Sequence, residues 1–352
     1  MNKEKIPSMP KGPAIPKGTT IRLLKYVFST YKAYWIIVLA CITVSAVCGV
    51  TAQSFLQRLI DDCITPGIAN GMDTVYKELL SILITMGSIY VAGIVCSFFY
   101  TRLGAIMTQG ILKRFRMDMF SKMESLPVKY FDTHSFGNIM STYTNDTDAL
   151  RQMIGQSIPM VFQSMMTLVT IFIMMIRYSL WMLMVVIVFV VIMLFVIKKV
   201  AGGSTKYMLS QQLSLATAEG YIEEMMNGQK VVKVFNHEPE SKERFDTLNE
   251  NLRYNSDTAN AYANILMPIL NNIGNIMYVV LAVFGALLLL FGATNVGIDG
   301  IGVISVGTIV YFLSVSRQMA MTIGQTSMQV NMITLGLAGA GRIFEMIDQQ
   351  PE

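Results

Sequence analysis

Along this chain, long apolar runs alternate with polar stretches that keep helical periodicity and hold few helix breakers. The first run, from about Tyr34 to Ile60, opens on the interfacial anchors Tyr34 and Trp35. It ends at Arg58, Asp61 and Asp62, and Pro66, Gly67, Asn70 and Gly71 beyond them predict an outer loop. The second begins near Tyr76, and nothing stops a helix until Pro127. About fifty residues at 1.5 Å each make roughly 75 Å, more than twice the hydrocarbon thickness of a bilayer. Only the part to about Tyr100 is apolar enough for lipid, because Arg102, Lys113, Arg114, Arg116, Asp118 and Lys122 then enter at helical spacing. A third helix passes Ile154 and Ile158 and ends at Ile176. Arg177, Tyr178 and Ser179 make a very short turn before Trp181 opens the fourth span, which leaves lipid at Lys198 and Lys199. The fifth runs from near Pro268 to Phe291, and GATNVGIDGIG makes an outer loop. The sixth starts near Val303, leaves the membrane near Ile323 and continues as a polar helix to about Ile347.

Two polar stretches separate these spans. ESLPVKYFDTHSFGNIMSTYTNDTDAL, from Glu124 to Leu150, holds more polar and turn-forming residues than a bilayer tolerates, so it must lie in water at the tip of a helical hairpin. The seventy residues to Asn264 hold no membrane-length apolar run and one proline, Pro239, and predict two more helical arms with a tip near Gln229 to Glu240. Ahead of the spans, TTIRLLKYVFSTYK places Ile21, Leu24, Val27 and Phe28 on one face. This predicts a short interfacial helix over 19–33 capped by Thr19 or Thr20. Residues 1–18 carry Pro7, Pro10, Pro13 and Pro16 at the three-residue spacing of polyproline II, and because no short apolar region with a small-residue cleavage site follows the basic start, no signal peptide is expected.

Composition agrees with a membrane protein: 53% of residues are hydrophobic and 14% charged. The net charge of +4 matters less than its placement, since 24 of the 27 Lys and Arg fall on the side of the N-terminus and the two polar stretches. Only Arg58, Lys77 and Arg177 remain for the other side, so the positive-inside rule predicts both termini in the cytoplasm. No nucleic-acid-binding motif accompanies the basic residues.

Candidate chemistry is sparse. Cys41, Cys48, Cys63 and Cys96 form no C-x-x-C pair and no cluster with histidine, and the two histidines, His134 and His237, fall on the predicted tips. There is no G-x-x-x-x-G-K-S/T phosphate cradle, because Gly228-Gln229-Lys230 lacks both the strand and the glycine spacing. These 352 residues therefore predict no catalytic site and no metal. Past Glu78 at the outer start of the second, the spans between their apolar limits hold no Asp or Glu, which argues against an ion-coupled carrier or channel, the alternative class. Arg317 is the one deeply placed charge. With Gln318, Met321, Gln325, Met328 and Gln329 on the sixth helix, and Asn271, Asn272 and Asn275 on the fifth, it forms the candidate lining of a substrate cavity.

Three stretches resemble one family, and together they bear on nearly the whole chain from Thr19. LPVKYFDTHSFGNIMSTYTNDTDALR resembles the first intracellular loop of six-span ATP-binding-cassette exporters, although Thr142 stands where many members have Arg. AEGYIEEMMNGQKVVKVFNHEPESKERF is similar to their second loop, and AGAGRIFEMIDQQPE to the linker that runs into a nucleotide-binding domain. The resemblance implies an all-α membrane fold in which residues 34–347 form the transmembrane domain, its six long helices extending into the cytoplasm and pairing in a domain-swapped dimer, with 348–352 beginning the linker. It implies coupling helices at the two tips, the first involving Tyr130, Phe131, Asp132, His134, Ser135, Phe136 and Gly137, the second Lys230, Val231, Val232, Lys233, Phe235 and Asn236. The expected partners are a nucleotide-binding domain carrying ATP and magnesium, a second six-span subunit of the same or another kind, the lipid bilayer and a hydrophobic substrate. The expected place is the plasma membrane, and the expected task is outward transport of drugs, lipids or peptides by alternating access. A chain that ends inside linker-like sequence is expected to be a fragment rather than a separate subunit.

Overall fold

A computed structural model describes residues 18–71, 75–297 and 300–352, so the proline-rich tail lies outside it except for Gly18. Helix α1 is Thr19–Thr30 and α2 is Lys32–Arg58. A π-helical turn, Leu59–Ile64, carries α2 on into the short α3, Thr65–Asn70. The stretch with Pro66 and Gly67, expected as a loop, is therefore helical to Asn70. Pro66 is the second residue of α3, directly after the π-helical turn. The cap of α1 also differs from expectation. It is Gly18, at φ +99°, and Thr19 is the first helical residue. The left-handed backbone at residue 18 favours glycine there, and Thr19 and Thr20 lie within the helix, where neither side chain caps it.

Helix α4, Tyr76–Glu124, runs for 49 residues without a break. Pro127 ends it, and three short helices follow: α5, Val128–Thr133; α6, Phe136–Ser141; and α7, Thr147–Gln152. Two further π-helical turns, Thr142–Asp146 and Met153–Ser157, lead into α8, Ile158–Tyr178. Then come α9, Leu180–Asn227; α10, Gln229–Val234; and α11, Glu238–Leu290. The last outer connection is an antiparallel hairpin, β1, Thr294–Gly297, with β2, Gly300–Val303, where the sequence predicts a loop. Helix α12, Val306–Ile347, starts three residues later than expected because Ser305 caps it, its hydroxyl accepting from the Thr308 N–H at 3.0 Å.

Among the described residues, six helical stretches are long and apolar enough to cross a membrane, and five of them have 37 to 53 residues. About 20 suffice for a bilayer. The most apolar window of α4 is 0% buried within the chain, and Leu83, Ile84, Val91, Ile94 and Phe98 all lie open. Such a surface requires lipid or a partner.

The chain divides into two compact units, Met1–Val185 with Tyr278–Glu352, and Val186–Met277. In the first, a core cluster gathers on the polar continuation of α4. Met107, Ile111, Leu112, Phe115 and Met119 recur at helical spacing between the charged residues and meet Leu23, Val27, Leu150, Met153, Ile154, Ile343 and Phe344. Of the predicted apolar face of α1, Val27 docks here while Ile21, Leu24 and Phe28 remain exposed. Further along, α2 and α12 join by a polar seam. Gln53 donates to Gln318, Gln57 donates to the Thr308 hydroxyl at 3.1 Å, and Asp61 accepts from Ser305 at 2.6 Å and from the Gly307 N–H at 3.0 Å. In the second unit the arms meet through small contacts: Tyr207 stacks on Tyr262 at 4.6 Å, Tyr221 donates to the Ser241 carbonyl, and Asn255 to Ser214.

Candidate functional site

The first helical hairpin ends in a tip built by its own turn chemistry. Leu126 tucks under the core, Pro127 in extended backbone stops α4, and α5 turns back for one and a half turns. His134 Nδ1 lies 3.0 Å from the Tyr130 carbonyl and 3.1 Å from the Thr133 hydroxyl, and its ring stacks on Tyr130 at 4.1 Å. Ser135 then caps α6, accepting from the Asn138 N–H at 3.3 Å. The predicted residues are thus brought together but face two ways. Tyr130 and Phe131 pack half-buried against the core, edge to face at 5.7 Å, whereas Asp132, His134, Ser135, Phe136 and Gly137 lie open, Phe136 at 78%. Beside Phe131 an open cavity of about 760 Å³ is lined by Phe120, Met123, Glu124, Leu126, Phe131, Phe136, Ile139, Met140 and Tyr143. Burial pushes the Tyr143 hydroxyl above its ordinary pKa, and its oxygen has no hydrogen-bond partner.

Behind this tip lies a buried ion pair. Arg342 near the end of α12 reaches Asp146 in the first of the two π-helical turns with two hydrogen bonds, one of them at 2.9 Å, while the Asp146 side chain is only 6% exposed. Asp348 is joined the same way to Arg22 of α1, and the guanidinium beside it holds its carboxyl below the usual carboxylate range. Arg22 also lies 4.3 Å from the Phe344 ring centre. The end of α12 is therefore tied to both α1 and the base of the hairpin.

The second tip belongs to the other compact unit. Gly228 closes α9, α10 makes one and a half turns, and Asn236 at φ +51° takes the left-handed conformation that reverses the chain, a position asparagine tolerates. The His237 N–H donates to the Val232 carbonyl at 3.0 Å, and Lys233 pairs with Glu238 at 3.1 Å where α11 begins. Val231, Val234 and Phe235 stand 60%, 75% and 68% exposed, while Val232 turns partly inward; Lys230, Lys233 and Asn236 are open. Val234 was not among the predicted contacts, nor were Val128 and Met140 at the first tip. Their signal is apolar residues on one-and-a-half-turn helices that cannot bury them.

On α12, Arg317, Met321, Gln325 and Met328 form one exposed stripe, with the Arg317 guanidinium 5.4 Å from the Tyr278 ring centre. Gln318 and Gln329 are half-buried, and Gln318 is held by Gln53. Asn271, Asn272 and Asn275 lie open on α11, and Asn272 donates to the Pro268 carbonyl at 2.9 Å.

Among the described residues, six helices long and apolar enough to cross a bilayer define a membrane protein. A family model, the ABC transporter transmembrane region, matches residues 35–323, and the chain belongs to that family. It is 26% identical over 96% of its length to an uncharacterized ABC transporter ATP-binding protein of Bacillus subtilis, covering 53% of that protein. It is 28% identical over 75% of its length to a fatty acid ABC transporter ATP-binding/permease protein of Mycobacterium bovis, covering 40% of it. To the ATP-dependent lipid A-core flippase of Yersinia pestis it is 23% identical over 95% of its length, covering 54%. The chain spans about half the length of the curated relatives it matches.

Proposed function

We propose that this chain is the substrate-translocating region of an ATP-driven exporter, driven by nucleotide-binding domains that grip the two tips. One observation carries the reading: Phe136 and Phe235, with Val231 and Val234, stand in water on short helices at the ends of rods of 48 to 53 residues. Exposed apolar knobs of this kind are spent on a partner groove. Rods held by an unbroken backbone ladder carry a displacement of the tips to the spans, and the cavity between two such subunits opens alternately to each side. ATP and magnesium belong to the partner domains in this mechanism.

The placement of the basic residues supports tips on the cytoplasmic side of the membrane. The exposed stripe of Arg317, Met321, Gln325 and Met328 on α12 is the part of the candidate lining that faces the substrate in this reading. A wall of thioethers and amides with one cation fits an amphiphile with an acidic head, and the names of two relatives, a fatty acid transporter and a lipid A-core flippase, support a lipidic cargo. The ion-coupled alternative gains nothing from the fold, because Asp61, in the π-helical turn after α2, is already engaged by the Ser305 hydroxyl and the Gly307 N–H at the start of α12.

The test is coupling in the complete transporter. Phe136→Ala and Phe235→Ala are expected to lower substrate-stimulated ATP hydrolysis several-fold while leaving nucleotide affinity unchanged. Stimulation equal to wild type in both variants contradicts the assignment.

A further inference from the structure

Between Thr308 and Ser327 of α12, packing within the chain leaves Arg317, Met321 and Gln325 as the exposed side chains, with Met328 close beyond them. A spacing of four residues sets them along one line of the helix. Arg317 lies eleven residues past Val306, about 16.5 Å at 1.5 Å each, near the middle of a hydrocarbon layer roughly 30 Å thick. A charge at that depth faces a water-filled cavity or an opposite charge rather than lipid.

Its position is fixed by the packing around it. Helices α11 and α12 approach closely at Gly285, where a Cβ would lie 3.0 Å from Ile309. Seven residues back along α11 and eight forward along α12, Tyr278 meets Arg317, whose guanidinium is 5.4 Å from the ring centre. The next residue, Gln318, is held by Gln53 of α2, which pins the turn that carries the cation. Elsewhere in this unit Arg22, Arg151 and Arg342 each hold a carboxylate. Among the described residues none pairs with Arg317. The chain supplies a cation, a ring and thioethers along one line, but no counter-ion.

We propose that the substrate supplies it: Arg317 is the headgroup site for an amphiphile with a single oxyanion, carboxylate or phosphate, and the same charge bars amphiphilic cations. This rests on the proposed function, in which the stripe is the cavity wall, and it makes one residue the determinant of which charge is carried. A guanidinium offers an oxyanion two parallel N–H donors in a fixed fork. Met321 and Met328, on the same stripe, give an alkyl chain pliable apolar contact. Away from bulk water a like charge is repelled as an opposite charge is attracted, so reversing the sign at position 317 reverses the preference.

The test uses three photoreactive probes of one shape: palmitic acid with a mid-chain diazirine, its methyl ester, and the matching alkyltrimethylammonium. The complete transporter, in nanodiscs of zwitterionic lipid without nucleotide, is irradiated with each, and labelled peptides are identified by mass spectrometry. The acid is expected to label the stretch holding Met321 and Met328 roughly tenfold more than the ester or the ammonium. Arg317→Gln should lower the acid's yield to that of the ester, Arg317→Lys should keep most of it, and Arg317→Glu should favour the ammonium. Tyr278→Leu leaves the charge in place and should lower the acid's yield about two- to five-fold, a reading that stands even where position 317 tolerates no change. Competition by oleate or by lysophosphatidate supports the site and tells carboxylate from phosphate. Equal labelling by the three probes, a preference that Arg317→Glu leaves unmoved, or competition by inorganic phosphate at the same concentration overturns the proposal. Labelling reads binding and not turnover. A missing charge preference beside the expected loss of coupling in Phe136→Ala and Phe235→Ala therefore overturns this inference and leaves the proposed function standing.

Discussion

The pair between Arg342 and Asp146 offers the sharpest energetic test of how α12 is fastened. Removing the guanidinium strands a carboxylate whose side chain is 6% exposed, whereas removing the carboxylate leaves a guanidinium that is 48% exposed and finds water. Breaking a buried pair from the buried side costs about 3–5 kcal/mol, and the wet side of this one lowers that to about 2–3 kcal/mol for Arg342→Ala. Asp146→Ala should cost less, about 1–2 kcal/mol, because no charge is left buried. The double variant should cost about as much as Asp146→Ala alone, roughly 2–3 kcal/mol less than the sum of the two, since the orphan is removed along with its partner. Cys41, Cys48, Cys63 and Cys96 are all free thiols, and Cys63 is buried, so a thiol-reactive fluorophore reports unfolding of the detergent-solubilised protein on heating. The order of midpoints predicted is wild type, then Asp146→Ala and the double variant, with Arg342→Ala lowest. An Arg342→Ala midpoint equal to wild type, or strict additivity, refutes the reasoning.

Two glycines should respond oppositely to alanine. A Cβ at Gly336 would lie 2.5 Å from Met153 Cβ and 2.7 Å from its sulfur, inside the core, so Gly336→Ala should cost about 1–3 kcal/mol by thermal unfolding. At Gly220 nothing lies within 4 Å, and Gly220→Ala within α9 should be neutral or stabilise by up to about 1 kcal/mol. The Arg22–Asp348 pair should be sensitive to pH and salt. Its carboxyl is held below the ordinary value near 4, so its contribution is complete above that pH and is lost as pH falls through the depressed folded value. With the side chains 46% and 56% exposed, Arg22→Ala should cost under about 1 kcal/mol near neutral pH, and the difference should vanish in molar salt or strong acid.

What could be read from the sequence follows from length scales. The rods of α4, α9 and α11 were legible because an apolar run continues into amphipathic sequence with no proline until Pro127 in one case and none but Pro239 and Pro268 in the others. The tips were legible because Pro127, Gly137, Gly228 and Asn236 interrupt that pattern. The core cluster was not, since Met107, Ile111, Phe115 and Met119 are spread among Lys and Arg on a helix read as projecting into water. Nor were the three π-helical turns, which depend on one inserted residue rather than on composition. The β1–β2 hairpin escaped notice because TNVG and GIGV are short and half glycine. The seam of Gln53, Gln57 and Asp61 against α12 needed the register of two distant helices, which periodicity in one strand of sequence does not contain. At the tips, the sequence identified the exposed Phe136 and Phe235 but not that Tyr130 and Phe131 turn half inward.

The most direct test of the account asks on which side of the membrane, and how far from lipid, the two tips stand. Ser135→Cys and Asn236→Cys lie on the tips, and Ile68→Cys, at a residue 84% exposed, lies on the outer connection. A membrane-impermeant maleimide should label both tip variants in inside-out vesicles and not in right-side-out ones, with the reverse for position 68. Tips that react from outside, or that stay shielded by lipid from either side, would contradict a transporter worked from cytoplasmic levers.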